Sequence, residues 1–166
     1  MAPETPRMMW GHININVSDL DRARDFYARL GFTEYRAGIP YLGLADGAEP
    51  RPLPPQCAEA LGVPPGATGR ACILELGGGY PKLDLTEFRG LAARPPLDTS
   101  DLGVARICLG TRDLAAEHAR LSAAGVAFVS PPRECPEGMA KIALARDPDG
   151  TLIELIEVVR DRWPAP

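Results

Sequence analysis

The feature that most constrains this chain is an internal repeat. Shifting the sequence by 94 residues lays His12 on Arg106, Asp19 and Leu20 on Asp113 and Leu114, and Gly31 and Phe32 on Gly125 and Val126. One register satisfies every pairing, so the chain reads as two copies of one unit. Each copy opens with an alternating strand, WGHININVSDLD in the first and GVARICLGTRDL in the second. An Asp-Leu helix start, about three helical turns and a glycine stop follow. In the first helix Leu20, Ala23, Tyr27 and Leu30 fall on one face, with Asp21, Arg22, Asp25 and Arg29 on the wet side. In the second, Leu114, His118 and Leu121 form the matching stripe, which makes His118 a partly buried helix residue rather than a ligand.

Three more strands follow each helix, at 33–37, 70–76 and 82–88 in the first copy and at 126–130, 141–146 and 151–157 in the second. The expected fold is therefore α+β: two βαβββ modules in tandem, each an open curved mixed sheet with its helix on the outer face, enclosing a cleft. The first module spans 8–93, a linker with two prolines spans 94–102, and the second module spans 103–160. Residues 46–67 of the first module, rich in proline and glycine, read as a surface excursion with one helical turn near 58–61. In ARDPDGTLIEL, Pro148 presets a turn, Asp147 and Asp149 can accept nearby backbone N–H groups, and Gly150 tolerates positive φ. That stretch predicts a tight hairpin with a three-residue loop.

Strand alternation sorts the side chains that matter for function. Ile13, Ile15 and Val17 must pack on a helix, which leaves Trp10, His12, Asn14 and Asn16 on the opposite face. In the second copy Ile107 and Leu109 pack on the helix, leaving Arg106 and Cys108. Superposing LDLTEF on IELIEV pairs Asp84 with Glu154, and sends both to the face that carries His12 and Arg106. Two positions per module thus carry His and Asp, then Arg and Glu. Imidazole and carboxylates suit a divalent cation, and arginine suits an anion.

Composition narrows the partner. A net charge of -4 offers no broad basic surface for nucleic acid or anionic lipid, and no apolar run reaches bilayer-spanning length. Small molecules are the expected partners. The opening MAPETPRMMW lacks signal-peptide character, so a cytoplasmic location is expected. Cys57, Cys72, Cys108 and Cys135 form no CxxC pair and read as reduced thiols, mostly buried fillers. Cys108, two residues from Arg106, could also be a thiol activated by a nearby cation.

On these residues the chain resembles the vicinal oxygen chelate superfamily, which includes glyoxalase I, methylmalonyl-CoA epimerase, fosfomycin resistance enzymes, extradiol dioxygenases and bleomycin resistance proteins. The carriers are GHININVSDLDRARDFYARLGF, LGVPPGATGRACILELGGGYPKLDLTEF, GVARICLGTRDLAAEHARLSAAGVAFVSPP and ARDPDGTLIELIE, so the likeness covers residues 9–159. The resemblance implies metal ligands from the first and fourth strands of each module: His12, Asp84 and Glu154 here, for Mn, Ni, Zn, Fe or Co. Asp84 is shorter than the usual glutamate by one methylene, roughly 1.5 Å. Arg106 departs outright, because a guanidinium has no lone pair to donate.

Two readings follow. In the first, a divalent metal held by His12, Asp84 and Glu154 works with Arg106 and Glu154 as catalytic groups in a lyase, isomerase or epimerase with an enolate-like intermediate. In the second, the guanidinium stands where the cation would be, and the protein is a metal-free, ligand-sequestering relative of the bleomycin resistance type. In either case the substrate-binding side chains are Trp10, Asn14, Asn16, Phe88, Arg106, Cys108 and Ile156, around an anionic or oxygen-rich ligand. An iron oxygenase set of two histidines and a carboxylate is hard to assemble from His12 and His118 alone. The resemblance also implies a homodimer, with the site formed within one chain or across two.

Overall fold

A computed structural model describes residues 8–92 and 94–159, so the expected module limits at 93 and 160 lie outside the described residues. The chain divides into two compact units after Ala92.

The first unit opens with β1 (His12–Asn16) and α1 (Leu20–Arg29). Asp19 caps the helix, its carboxylate accepting the Arg22 N–H at 3.0 Å. Leu20, Ala23, Phe26 and Tyr27 are its buried stripe. Gly31, at φ +96°, provides the left-handed residue that ends it. β2 (Thr33–Arg36) follows, and β6 (Thr68–Glu75) and β7 (Lys82–Arg89) complete the sheet in the order β1-β7-β6-β2. β1 and β7 run parallel and the remaining pairs antiparallel.

Between β2 and β6 lies β3 (Gly38–Ile39), a 3-10 helix (Pro40–Leu42), β4 (Leu44–Ala45), β5 (Arg51–Pro52) and α2 (Pro55–Leu61). This is more than a surface excursion with one helical turn. β3 and β4 form a hairpin, and β5 adds to the edge of β6. Ile39, Leu44, Leu53 and Ala58 form one buried cluster with Ala71 and Ile73 of β6, and Leu42 and Phe88 pack against it. Ala71 and Ile73 stand opposite Thr86 and Asp84 in register, so the segment covers the sheet face away from α1. Four scattered apolar residues, without helix or strand periodicity, anchor it there.

The second unit repeats the plan without that cover. β8 (Arg106–Gly110), α3 (Leu114–Ala123), β9 (Ala127–Glu134), β10 (Ala140–Arg146) and β11 (Leu152–Val158) give the order β8-β11-β10-β9, with β8 and β11 parallel. Asp113 caps α3 by accepting the Ala116 N–H at 2.9 Å. His118 lies against Phe128 with ring centroids 4.3 Å apart, a packing role. β9 runs four residues beyond its expected end, through Pro131 and Pro132. Among the described residues it pairs only with β10, and an edge strand tolerates proline.

The expected hairpin follows β10. Asp147 Oδ1 accepts the N–H groups of Asp149 and Thr151 at 2.9 and 2.8 Å, and the Asp147 N–H donates to Thr151 O at 2.9 Å. The segment read as a linker belongs to this unit: Asp98 pairs with Arg146 at 3.3 Å, and a Cβ on Gly150 would meet Pro96 Cγ at 2.7 Å.

A second repeated device sits on the helix side of both sheets. Glu87 Oε2 accepts the Leu20 N–H at 2.9 Å, and Glu157 Oε2 accepts the Leu114 N–H at 2.8 Å. Each carboxylate thus satisfies a free N–H at the start of its helix and meets a cation from the adjacent strand, Arg70 and Lys141 respectively. No helix among the described residues is long and apolar enough to cross a membrane.

Candidate functional site

In the first unit, the parallel pairing sets Asn14 beside Asp84 and His12 beside Lys82. His12 Nδ1 comes within 3.6 Å of Asp84 Oδ2. Thr86 Oγ1 donates to Asn14 Oδ1 at 2.8 Å, and Asn14 Nδ2 donates to Asn16 Oδ1 at 3.0 Å. The face carrying His12, Asn14 and Asn16 is therefore a polar network continuous with β7. Lys82, buried on the same face, is already committed: its ammonium meets Glu75 at 2.5 Å and lies 4.4 and 4.9 Å from the Tyr35 and Tyr80 ring centroids.

Asp84 is the unusual group. Its side chain is 2% exposed. Oδ2 accepts a hydrogen bond from the Tyr41 hydroxyl at 3.3 Å, while Oδ1 is buried with no partner among the described residues. Burial pushes the Asp84 carboxyl above its ordinary value, against smaller opposing pulls from His12 and Tyr41. The Tyr41 hydroxyl is raised in turn, by burial first and then by the charge and hydrogen bond of Asp84.

In the second unit, Arg106 Nε donates to Glu154 Oε2 at 2.6 Å and Cys108 Sγ donates to Glu154 Oε1 at 3.4 Å. These three side chains and the 99–105 segment line a concavity of about 490 Å³. Cys108 is exposed, and only Cys72 of the four thiols is buried. The Cys108 thiol is pushed up to about 11 by desolvation and by Glu154, with Arg106 pulling the other way. Activation by the neighbouring cation is not what this geometry produces, because the guanidinium is engaged by the glutamate.

The remaining candidates lie elsewhere. Trp10 precedes β1 and is exposed; Phe88 packs on the buried cluster of the covering segment; Ile156 is half-buried, in register with Gly110 and Ile142. Tyr41 was missed. PYLG reads as a short turn, with proline at its first helical position and Gly43 at φ +67° closing it, but nothing local says what the tyrosine touches.

An imidazole beside a carboxylate is a donor pair of the kind that suits a divalent cation, and here His12 faces Asp84 Oδ2, the oxygen that also accepts from Tyr41. Glu154, the third candidate ligand, is held by Arg106. Among the described residues no three His, Cys, Asp or Glu side chains are gathered into one metal-holding group.

Each unit thus has the βαβββ plan with a polar pair on its first and last strands, His12 with Asp84 and Arg106 with Glu154. Residues 10–155 match the sequence model of the Glyoxalase/Bleomycin resistance protein/Dioxygenase superfamily, and the chain belongs to that superfamily. It is 28% identical over 169 aligned positions to lactoylglutathione lyase of Pseudomonas aeruginosa, covering 95% of this chain and 88% of the relative. A glyoxalase family protein from Bacillus cereus superposes with a TM-score of 0.70 at 19% identity, covering 94% of this chain and 97% of that one. Glyoxalase I from Zea mays superposes with a TM-score of 0.61 at 21% identity, over 88% of this chain and 43% of the maize protein.

Proposed function

We propose that the chain is a glyoxalase-like small-molecule enzyme, a lyase, isomerase or epimerase, that holds a divalent metal ion through His12, Asp84 and Glu154 and uses Arg106 to steady an enolate-like oxyanion. The observation that carries this reading is the approach of His12 Nδ1 to Asp84 Oδ2 at 3.6 Å, an imidazole and a carboxylate of the kinds that bind divalent cations. When bound, the metal would supply Lewis-acid polarisation of a substrate carbonyl.

The chain's own side chains supply the rest. Arg106 spends Nε on Glu154, and its terminal nitrogens make no hydrogen bond among the described residues, so they are available to a carboxylate or enolate oxygen. Glu154 lies on the same concavity and is the group to move a proton. A volume of about 490 Å³ is in the range of small-molecule sites. The likeness to a lactoylglutathione lyase favours a lyase and an anionic, oxygen-rich substrate. Homodimer assembly, implied by the resemblance, belongs to the same reading.

The contact of 2.6 Å between Arg106 and Glu154 supports a second reading, a metal-free sequestering protein in which the guanidinium replaces the cation. Calorimetric titration of chelator-treated protein with manganese, nickel and zinc separates the two. The enzyme reading expects stoichiometric metal binding by the wild type. It also expects Arg106→Ala to keep the metal and lose affinity for S-lactoylglutathione as a probe. No metal binding by the wild type, with affinity for metal appearing in Arg106→His, would establish the second reading instead.

A further inference from the structure

The two units differ in how they treat equivalent positions on their helix-free faces. In the first, Ile73 stands opposite Asp84 and Ala71 opposite Thr86; in the second, Leu144 stands opposite Glu154 and Ile142 opposite Ile156. The first unit covers its pair: Ile39, Leu44, Leu53 and Ala58 close over Ala71 and Ile73, which are 0% and 9% exposed. In the second unit β9 passes to β10 through little more than the 3-10 helix Pro136–Gly138, and Ile142, Leu144 and Ile156 are only half-buried. We infer that this uncovered face binds the apolar body of the ligand whose oxyanion end Arg106 holds. The ligand is then a small amphiphile, an organic oxyanion with a branched aliphatic body.

The first unit shows what kind of cover such a face takes. Its own segment is amphipathic: aliphatic side chains lie over Ala71 and Ile73, while Tyr41, between Ile39 and Leu44, places its hydroxyl 3.3 Å from the neighbouring carboxylate, Asp84. The second unit offers an apolar and a polar surface in the same register. Its polar end suits an anion, because the terminal nitrogens of Arg106 make no hydrogen bond among the described residues and the side chain is 43% exposed. Glu154 joins the two surfaces, lining the Arg106 concavity and standing opposite Leu144. Leu144 lies one strand beyond Glu154, about 4.8 Å, and Ile156 lies two residues along β11, about 7 Å. A body of about four carbons therefore extends from a headgroup at Arg106 onto both. Gly110, in register with Ile156, leaves open the space that a side chain would fill. Aliphatic groups laid on this face leave water for the same reason that the first unit buries its own.

The inference rests on the oxyanion role proposed for Arg106 and not on the metal. Pyruvate and its isobutyl homologue are titrated separately into the isotope-labelled full-length chain and followed by NMR, for wild type, Arg106→Ala, Ile156→Thr and Leu144→Ala. Thermal melts check that each variant folds. Threonine is a strand former and already occupies the equivalent position of the first unit, Thr86. The wild type is expected to bind the homologue on the order of tenfold more tightly than pyruvate. The homologue alone should shift the methyl signals of Ile142, Leu144 and Ile156. Ile156→Thr and Leu144→Ala should cut the preference to about threefold or less while keeping the affinity for pyruvate. Arg106→Ala should weaken both acids.

Equal wild-type affinity for the two acids, within about twofold, overturns the apolar subsite and leaves the role of Arg106 standing if pyruvate binding still depends on it. An undiminished preference in both Ile156→Thr and Leu144→Ala overturns the subsite as well. Absence of binding by either acid, or pyruvate affinity unaffected by Arg106→Ala, overturns the Arg106 reading and the inference with it. Sedimentation under the same conditions tests for a second copy on this face: affinity for the homologue that falls as the protein's mass rises with concentration would overturn the small-molecule assignment.

Discussion

The repeated carboxylate on the helix side allows one module to serve as the control for the other. Glu87 Oε2 accepts from Arg70 Nε at 3.1 Å, from Arg70 Nη2 at 2.7 Å and from the Leu20 N–H at 2.9 Å. The Arg70 side chain is 8% exposed, whereas Lys141, the partner of Glu157, is 39% exposed. Glu87→Ala therefore strands a buried guanidinium, with Asp21 at 3.0 Å as its remaining carboxylate, and frees an N–H at the helix start. Breaking a buried pair costs about 3–5 kcal/mol, and the surviving Asp21 contact argues for the lower end. At about 2–4 °C per kcal/mol for a chain of 166 residues, the corresponding transition should fall by about 10 °C. Glu157→Ala releases an ammonium that returns to water and loses the helix-start bond alone, so its effect should be clearly smaller. Glu87→Gln keeps an acceptor for Leu20 and should fall between wild type and Glu87→Ala. Urea unfolding followed by circular dichroism, with amide exchange at Leu20 and Leu114, reads all three. Equal losses from Glu87→Ala and Glu157→Ala would refute the argument from burial.

Acid should act through the same groups. Glu87 is raised by burial but more strongly lowered by Arg70 and the Leu20 N–H, and Glu157 is lowered by Lys141 and the Leu114 N–H. A depressed folded value means stability that is complete above the unfolded value near 4.5 and lost progressively as pH falls from there through the lower folded value. Urea midpoints should thus hold at pH 6 and decline from about pH 5 downward, and a flat profile to about pH 3 would contradict this. Gly38→Ala would place a Cβ 2.6 Å from Leu44 O at a φ of +139°, so it should cost about 2–3 kcal/mol by urea unfolding. Cys108, though exposed, should alkylate slowly at pH 8, because its thiol is pushed up to about 11. Glu154→Gln should speed that labelling, as followed by mass spectrometry.

Much of this architecture was legible because two independent regularities agreed. Alternation sent His12 and Asp84 to one face and Arg106 and Glu154 to its equivalent, and the pairs stand 3.6 and 2.6 Å apart. The superposition that paired Asp84 with Glu154 also pairs Glu87 with Glu157. A glutamate on an apolar strand face opposite a helix start was a readable signal, but alternation alone treats that face as hydrophobic packing. The covering segment was not legible. Ile39, Leu44, Leu53 and Ala58 follow no period, and what they pack against is decided by β6, far along the chain. Tyr41 was lost with them, since a turn is local and its target is not. The behaviour of Cys108 depended on whether Arg106 faced the thiol or Glu154, a competition settled by distance rather than by spacing.

The segment covering the first sheet behaves as a ligand that never dissociates. Joined to the sheet at both ends, it occupies the helix-free face at an effective concentration of about millimolar or more, as short tethers generally do. A free molecule seeking the part of that face over Ala71 and Ile73 must displace it, whereas His12, on the neighbouring strand, stays open to solvent. The same tether also makes the face adjustable by changes remote from it: shortening the segment, or loosening its hairpin at Gly38, would alter occupancy without touching a residue of the sheet.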